Sequence, residues 1–95
     1  MSMLIEKSGT LVHVTLSGEL TVIDAVTIYS ELLNEIDSES SLVVEAASVT
    51  RIDASIAQIL LFAAHRVRDC HVESQSSAWS NSLALLGPSS LLRDA

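Results

Sequence analysis

One cysteine, one proline, three glycines and a single copy each of phenylalanine, tryptophan and tyrosine are found in 95 residues. Cys70 has no second cysteine with which to close an internal disulfide. So little proline and glycine, beside a hydrophobic share of 48%, excludes a collagen-like, low-complexity or disordered chain. Phe62, Trp79 and Tyr29 leave little to stack on nucleic-acid bases. Basic residues are also scarce: five Lys and Arg stand against twelve Asp and Glu, a net charge of −7. Such a surface repels phosphate backbones and anionic lipid headgroups, so neither nucleic acid nor a membrane surface is an expected partner. No apolar run approaches the ~20 residues that span a bilayer, because Arg66, Arg68 and Asp69 interrupt the longest one, and no membrane insertion is expected. The opening stretch "MSMLIEKSG" lacks the basic start and long apolar segment of a secretion signal, which makes the expected location cytoplasmic.

What is present fits one compact domain over residues 1–95, since a chain of this length closes a single, here mostly aliphatic, core. In "MLIEKSGTLVHVTLSG" two β-prone runs flank Lys7-Ser8-Gly9-Thr10, the pattern of a hairpin. Val12, Val14 and Leu16 alternate with Leu11, His13, Thr15 and Ser17, so the second strand has one apolar face. After Gly18 the period changes. Ala25, Ile28, Tyr29, Leu32 and Ile36 recur at helical spacing, with a polar outer side formed by Thr27, Ser30, Glu31 and Asn34. Thr21 and Asp24 have capping-box spacing, which starts this helix near Val22, and Asp37 with "SESS" ends it.

"LVVEAASV" from Leu42 is near-continuously apolar and predicts a central strand buried on both faces, with Glu45 the exception. A second helix follows from about Ser55, with Ile56, Ile59, Leu60, Ala63, Ala64 and Val67 as its stripe against the sheet. "CHVESQS" reads as a further strand. "SSAWSNSLALLG" reads as a third helix capped by Ser76 or Ser77 and stopped by Gly87-Pro88. The order strand, strand, helix, strand, helix, strand, helix implies an α/β fold: a mixed sheet of about four strands, with three helices mainly on one face.

Three stretches then carry a resemblance: "LSGELT" at 16–21, "LVVEAASVTRIDAS" at 42–55 and "ALLGPSSLL" at 84–92. In order and spacing they are similar to the landmarks of the STAS family, the domain of bacterial anti-sigma factor antagonists. Thr21 stands where the family often has Asp, Glu45 where the strand usually carries Asp, Ala54 where a first hydroxyl is common, and Ile56 where Gly is usual. The resemblance implies a non-enzymatic, cytoplasmic partner-switching regulator that binds an anti-sigma factor or serine kinase. It also implies phosphorylation at the second position after Asp53, which is Ser55. Related STAS proteins act instead as constitutive interaction subunits of chemotaxis or lipid-transport ATPase complexes, and the motif alone leaves both functions open.

Ser55 has two readings by chemistry. With Gln58 it has the spacing of a capping box, and alternatively a phosphate there would meet the N–H groups and dipole at a helix amino terminus. Asp53 reads as an N-cap and, by the resemblance, as part of the kinase contact. At 100° per residue the outer side of the second helix carries Gln58, Leu61, Phe62 and His65, so Asp53, Ser55 and these four form the expected partner surface. The other two helices or a second copy of the chain in a homodimer are the alternative covers for Leu61 and Phe62. No catalytic site is expected. Ser55 and His65 share a helix ~15 Å apart along its axis, too far to exchange a proton. No metal or other cofactor is expected either: of His13, Cys70 and His71, the adjacent Cys70 and His71 on a strand point to opposite faces, no second cysteine exists, and no phosphate-cradling glycine loop is present.

Overall fold

The structure is a computed structural model, and it describes residues 1–85. Strands β1 (Ser2–Ser8) and β2 (Leu11–Leu20) lead into a 3-10 turn (Val22–Asp24) and helix α1 (Ala25–Glu35). Strand β3 (Ser41–Ile52), helix α2 (Ala54–Arg66), strand β4 (Asp69–Gln75) and helix α3 (Ser77–Leu85) follow. The sheet order is β1-β2-β3-β4, antiparallel between β1 and β2 and parallel for the other two pairs. This is the expected mixed α/β architecture, and the expected stop of the third helix at Gly87-Pro88 lies outside the described residues.

The β1–β2 register joins Ser8 to Leu11, so the loop is Gly9-Thr10. Gly9 has φ +60° and, among the described residues, no non-glycine residue has positive φ, the pattern of the twist-matched hairpin turn that needs glycine first. Gly18 departs from expectation. The strand does not end there but runs on to Leu20, with the pairing to β3 shifted between Gly18 and Glu19. A φ of +79° at Gly18 accommodates that irregularity in place of a strand end.

The core lies between one sheet face and the helices. Val12, Val14 and Leu16 of β2, Leu42 and Val44 of β3 and Val72 of β4 are all buried, and Trp79 of α3 belongs to the same cluster. From α2, Ile56, Leu60, Ala63 and Ala64 are buried, while Ile59 and Val67 are half-buried against this core. Ala57, outside the expected stripe, is buried with them. Ser76 Oγ accepts the Trp79 N–H at 3.1 Å, which selects Ser76 of the two expected caps.

Two expectations are corrected. Strand β3 is buried on one face: Leu42, Val44 and Ala46 are inside, whereas Val43 and Glu45 are only half-buried and look onto the uncovered side of the sheet. Parallel strands usually need cover on both faces, but here the described helices contribute to a single core cluster. The outer side of α1 carries Thr27, Ser30, Glu31 and Asn34 exposed as expected, but the start of the helix and the turn before it expose apolar groups as well. Val22 is 63%, Ile23 88% and Val26 78% exposed, because the core takes only Ile28 and Leu32 from this segment in full.

Candidate functional site

The site is built where β3 runs out and α2 begins. Asp53, in extended conformation, is the N-cap residue of α2, and its carbonyl accepts the N–H groups of Ile56 at 3.0 Å and Ala57 at 3.2 Å. Its own N–H donates to the Leu20 carbonyl at 2.9 Å, which holds this junction to the end of β2. The carboxylate does not cap its own helix. Oδ2 accepts the Val22 N–H at 3.1 Å, and Oδ1 pairs with Arg51 Nε at 3.2 Å. Asp53 therefore ties the start of α2 to the turn that opens α1. That turn is closed by Asp24, whose Oδ2 accepts the N–H of Thr21 at 2.9 Å and its hydroxyl at 3.2 Å, as the Thr21–Asp24 spacing implied.

Ser55 is the second residue of α2, which begins one residue earlier than its period suggested. It is not an N-cap, and the Ser55–Gln58 capping box does not form, because Asp53 already occupies the cap position. Ser55 is half-buried, and its Oγ is enclosed without a hydrogen-bond partner. Such an orphan hydroxyl is uncommon in a folded interior and costs free energy to keep.

Further along α2, Gln58 and His65 are exposed as the helical period implied. Leu61 is not on the outer side: it is half-buried and packs on the core, which corrects the pairing of Leu61 with Phe62 as neighbouring exposed groups. The reason is the width of the apolar stripe, which in a helix wedged between α1 and the sheet exceeds the face read from the sheet alone. Phe62 is 44% exposed and stacks on Tyr29 of α1 with ring centroids 6.2 Å apart, with the Arg66 guanidinium 5.4 Å from its centre. Val22, Val26 and Tyr29 follow one another at helical spacing up to Phe62, and Ile23 lies beside them. The apolar surface of this site is therefore centred on the approach to α1 and not on α2. The signal for it lay in "TVIDAV", whose three aliphatic side chains have no place on the Ile28–Leu32 stripe.

Elsewhere, the residues once weighed as metal ligands do not assemble as a set. Cys70 packs half-buried against the core, and burial, with a smaller contribution from the Asp69 charge, pushes its thiol up to about 11. His71 is exposed on the uncovered sheet face. His13 instead meets two carboxylates: Nε2 is 3.7 Å from Glu45 Oε2 and 3.5 Å from Glu73 Oε2. Glu45 is thus a mid-strand acid facing His13 and not a strand-end acid in water. Among the described residues, no helix is long and apolar enough to cross a membrane.

The comparisons with known proteins agree with this architecture. A family model described as "Mlab, STAS domain" matches residues 3–92, nearly the whole chain. Among solved structures, an anti-sigma factor antagonist from Mycobacterium paratuberculosis superposes with a TM-score of 0.78 at 20% sequence identity, over 90% of this chain and 77% of that one. No curated protein matches in sequence. The chain belongs to the STAS domain family.

Proposed function

We propose that the protein is a non-enzymatic interaction module of the anti-sigma factor antagonist kind, which docks an anti-sigma factor or serine kinase and is switched by phosphorylation of Ser55. The observation that carries this reading is the exposed strip of Val22, Ile23, Val26, Tyr29 and Phe62, tied through Asp53 to the first turn of α2. An apolar strip of this kind marks a protein contact more often than a free surface. Asp53, Ser55 and the exposed Gln58 and His65 of α2 are assigned to the same contact, while Leu61 packs on the core.

A phosphate on Ser55 would add about −1.5 to −2 charges at the amino end of α2, where N–H groups and the helix dipole favour an anion. The Oγ is enclosed, so a phosphorylated side chain must turn outward, toward the edge of the docking strip. Arg51 is engaged by Asp53, and repulsion from the Asp53 carboxylate turns the phosphate away from the junction, so that the added charge faces the partner. Docking is then lost without unfolding.

A second reading, a constitutive STAS subunit of a chemotaxis or lipid-transport ATPase complex, is favoured by the same enclosed Oγ, which in this conformation is not presented to a kinase. Mass spectrometry after reaction with an anti-sigma serine kinase separates the two. A single phosphate mapped to Ser55, absent in Ser55→Ala, is the result expected of the switch. No mass increase, or a phosphate elsewhere, leaves the constitutive subunit.

A further inference from the structure

The uncovered face of the sheet carries a group of side chains that the docking site does not use. His13 on β2, Glu45 on β3 and Glu73 on β4 each offer one ligand atom, and the three atoms lie within 4.8 Å of one another. They come from three adjacent hydrogen-bonded strands, so the backbone beneath them is fixed. His13 and Glu45 are half-buried, and Glu73 is 55% exposed at its side chain. Glu6 on β1 is directly opposite His13 in the antiparallel register and places a further acid on the same face. Among the described residues, neither Glu45 nor Glu73 has an ion pair with Lys or Arg; each has His13 as its partner. Two carboxylates thus converge on one imidazole in a protein whose net charge is −7.

The geometry points to a divalent metal site at His13, Glu45 and Glu73, of the class filled by zinc and related first-row ions. Ligand bonds of ~2.0–2.1 Å in a tetrahedral zinc site set neighbouring ligand atoms ~3.3 Å apart. The separations of 3.5 and 3.7 Å from His13 Nε2 are already close to that edge. Only the two carboxylates need to approach, and the exposed Glu73 side chain is free to do so by changing rotamer. One imidazole among two carboxylates selects against calcium, which takes six to eight oxygen ligands, and against magnesium, which keeps most of its water. Three protein ligands on an open sheet leave the remaining position to water. The summed negative charge of the protein draws the cation in.

Titration of zinc chloride into the metal-free full chain, followed by calorimetry, tests this directly. One zinc per chain is expected, with a raised melting temperature when zinc is bound. His13→Ala and Glu73→Gln should each weaken zinc at least about tenfold, since even outer-shell changes cost a metal site that much. His71→Ala, on the same face but outside the group, should leave affinity unchanged. Glu73→Gln alters an exposed side chain, so it remains informative even if His13→Ala fails to fold; circular dichroism without zinc checks each variant. Cobalt(II) bound in place of zinc should show no thiolate charge-transfer absorption. Wild-type affinity in the folded Glu73→Gln variant, no zinc uptake at all, or loss of binding in Cys70→Ser with a thiolate band present would each overturn the assignment.

Discussion

Asp53 engages four backbone partners at one junction, Leu20, Val22, Ile56 and Ala57, and the contribution of its carboxylate is measurable at the level of a single side chain. Its carboxylate holds the Val22 N–H and pairs with Arg51. Asp53→Ala should therefore destabilise the fold by about 1 kcal/mol, the scale of a lost cap, read as a lower urea midpoint at unchanged m-value. Asp53→Asn keeps an oxygen for Val22 and should lose less. Cys70 makes a second prediction. Its thiol ionises near 9.0 in the absence of the fold and at about 11 within it, so the folded state holds a proton that the unfolded chain releases. The raised value means stability is fully present below pH 9 and is lost progressively as the pH climbs toward 11. Alkylation by iodoacetamide at pH 8 should accordingly be far slower in the native protein than in urea, and equal rates would contradict a thiol held by burial.

At the scale of elements, α1 and α2 divide structural and binding roles differently from what their sequences suggest. Ile56→Ala in α2 should cost ~2–5 kcal/mol in chemical denaturation, because Ile56 is fully buried against the sheet. Ile23→Ser, at a position 88% exposed, should change stability by no more than about 0.5 kcal/mol while weakening partner binding. The stripe of α2 was legible from its 3.6-residue period, as was the alternation of Val12, Val14 and Leu16, since each set faces one core. Two things were not legible for a common reason. In "TVIDAV" Val22 and Ile23 precede the regular helix, and periodicity cannot say that a 3-10 turn leaves them exposed beside Val26. In α2, Leu61 is covered by packing beside the sheet-facing stripe, which a two-sided reading of one helix does not contain. The start of α2 was displaced by one residue because Ser55 and Asp53 both have cap chemistry, and it is the backbone at Asp53 that stands in the extended conformation.

On the scale of the whole molecule, the described residues give a sheet with one helix-covered face and one uncovered face, and each surface has its own chemistry. The covered side was readable from the element order and from the three STAS landmarks. The uncovered side was not, because Val43 and Glu45 sit in a run whose composition suits burial on both faces. Bringing His13 beside Glu45 and Glu73 further requires the β2–β3–β4 register, which a linear sequence does not display. The proposed docking strip starts at Val22, which Asp53 holds, and runs along α1 to Tyr29 and Phe62, so in this proposal a charge at Ser55 acts from the surface and not through the core. The measurement that tests this most directly is calorimetric titration of the wild-type chain, Ser55→Glu and Val26→Asp into the serine-kinase anti-sigma factor proposed as its partner. The account expects the wild type to bind and both variants to lose at least about tenfold in affinity, ~1.4 kcal/mol, while melting within a few degrees of the wild type. Wild-type affinity in folded Ser55→Glu and Val26→Asp would contradict it, since neither the switch position nor the apolar strip would then belong to the contact.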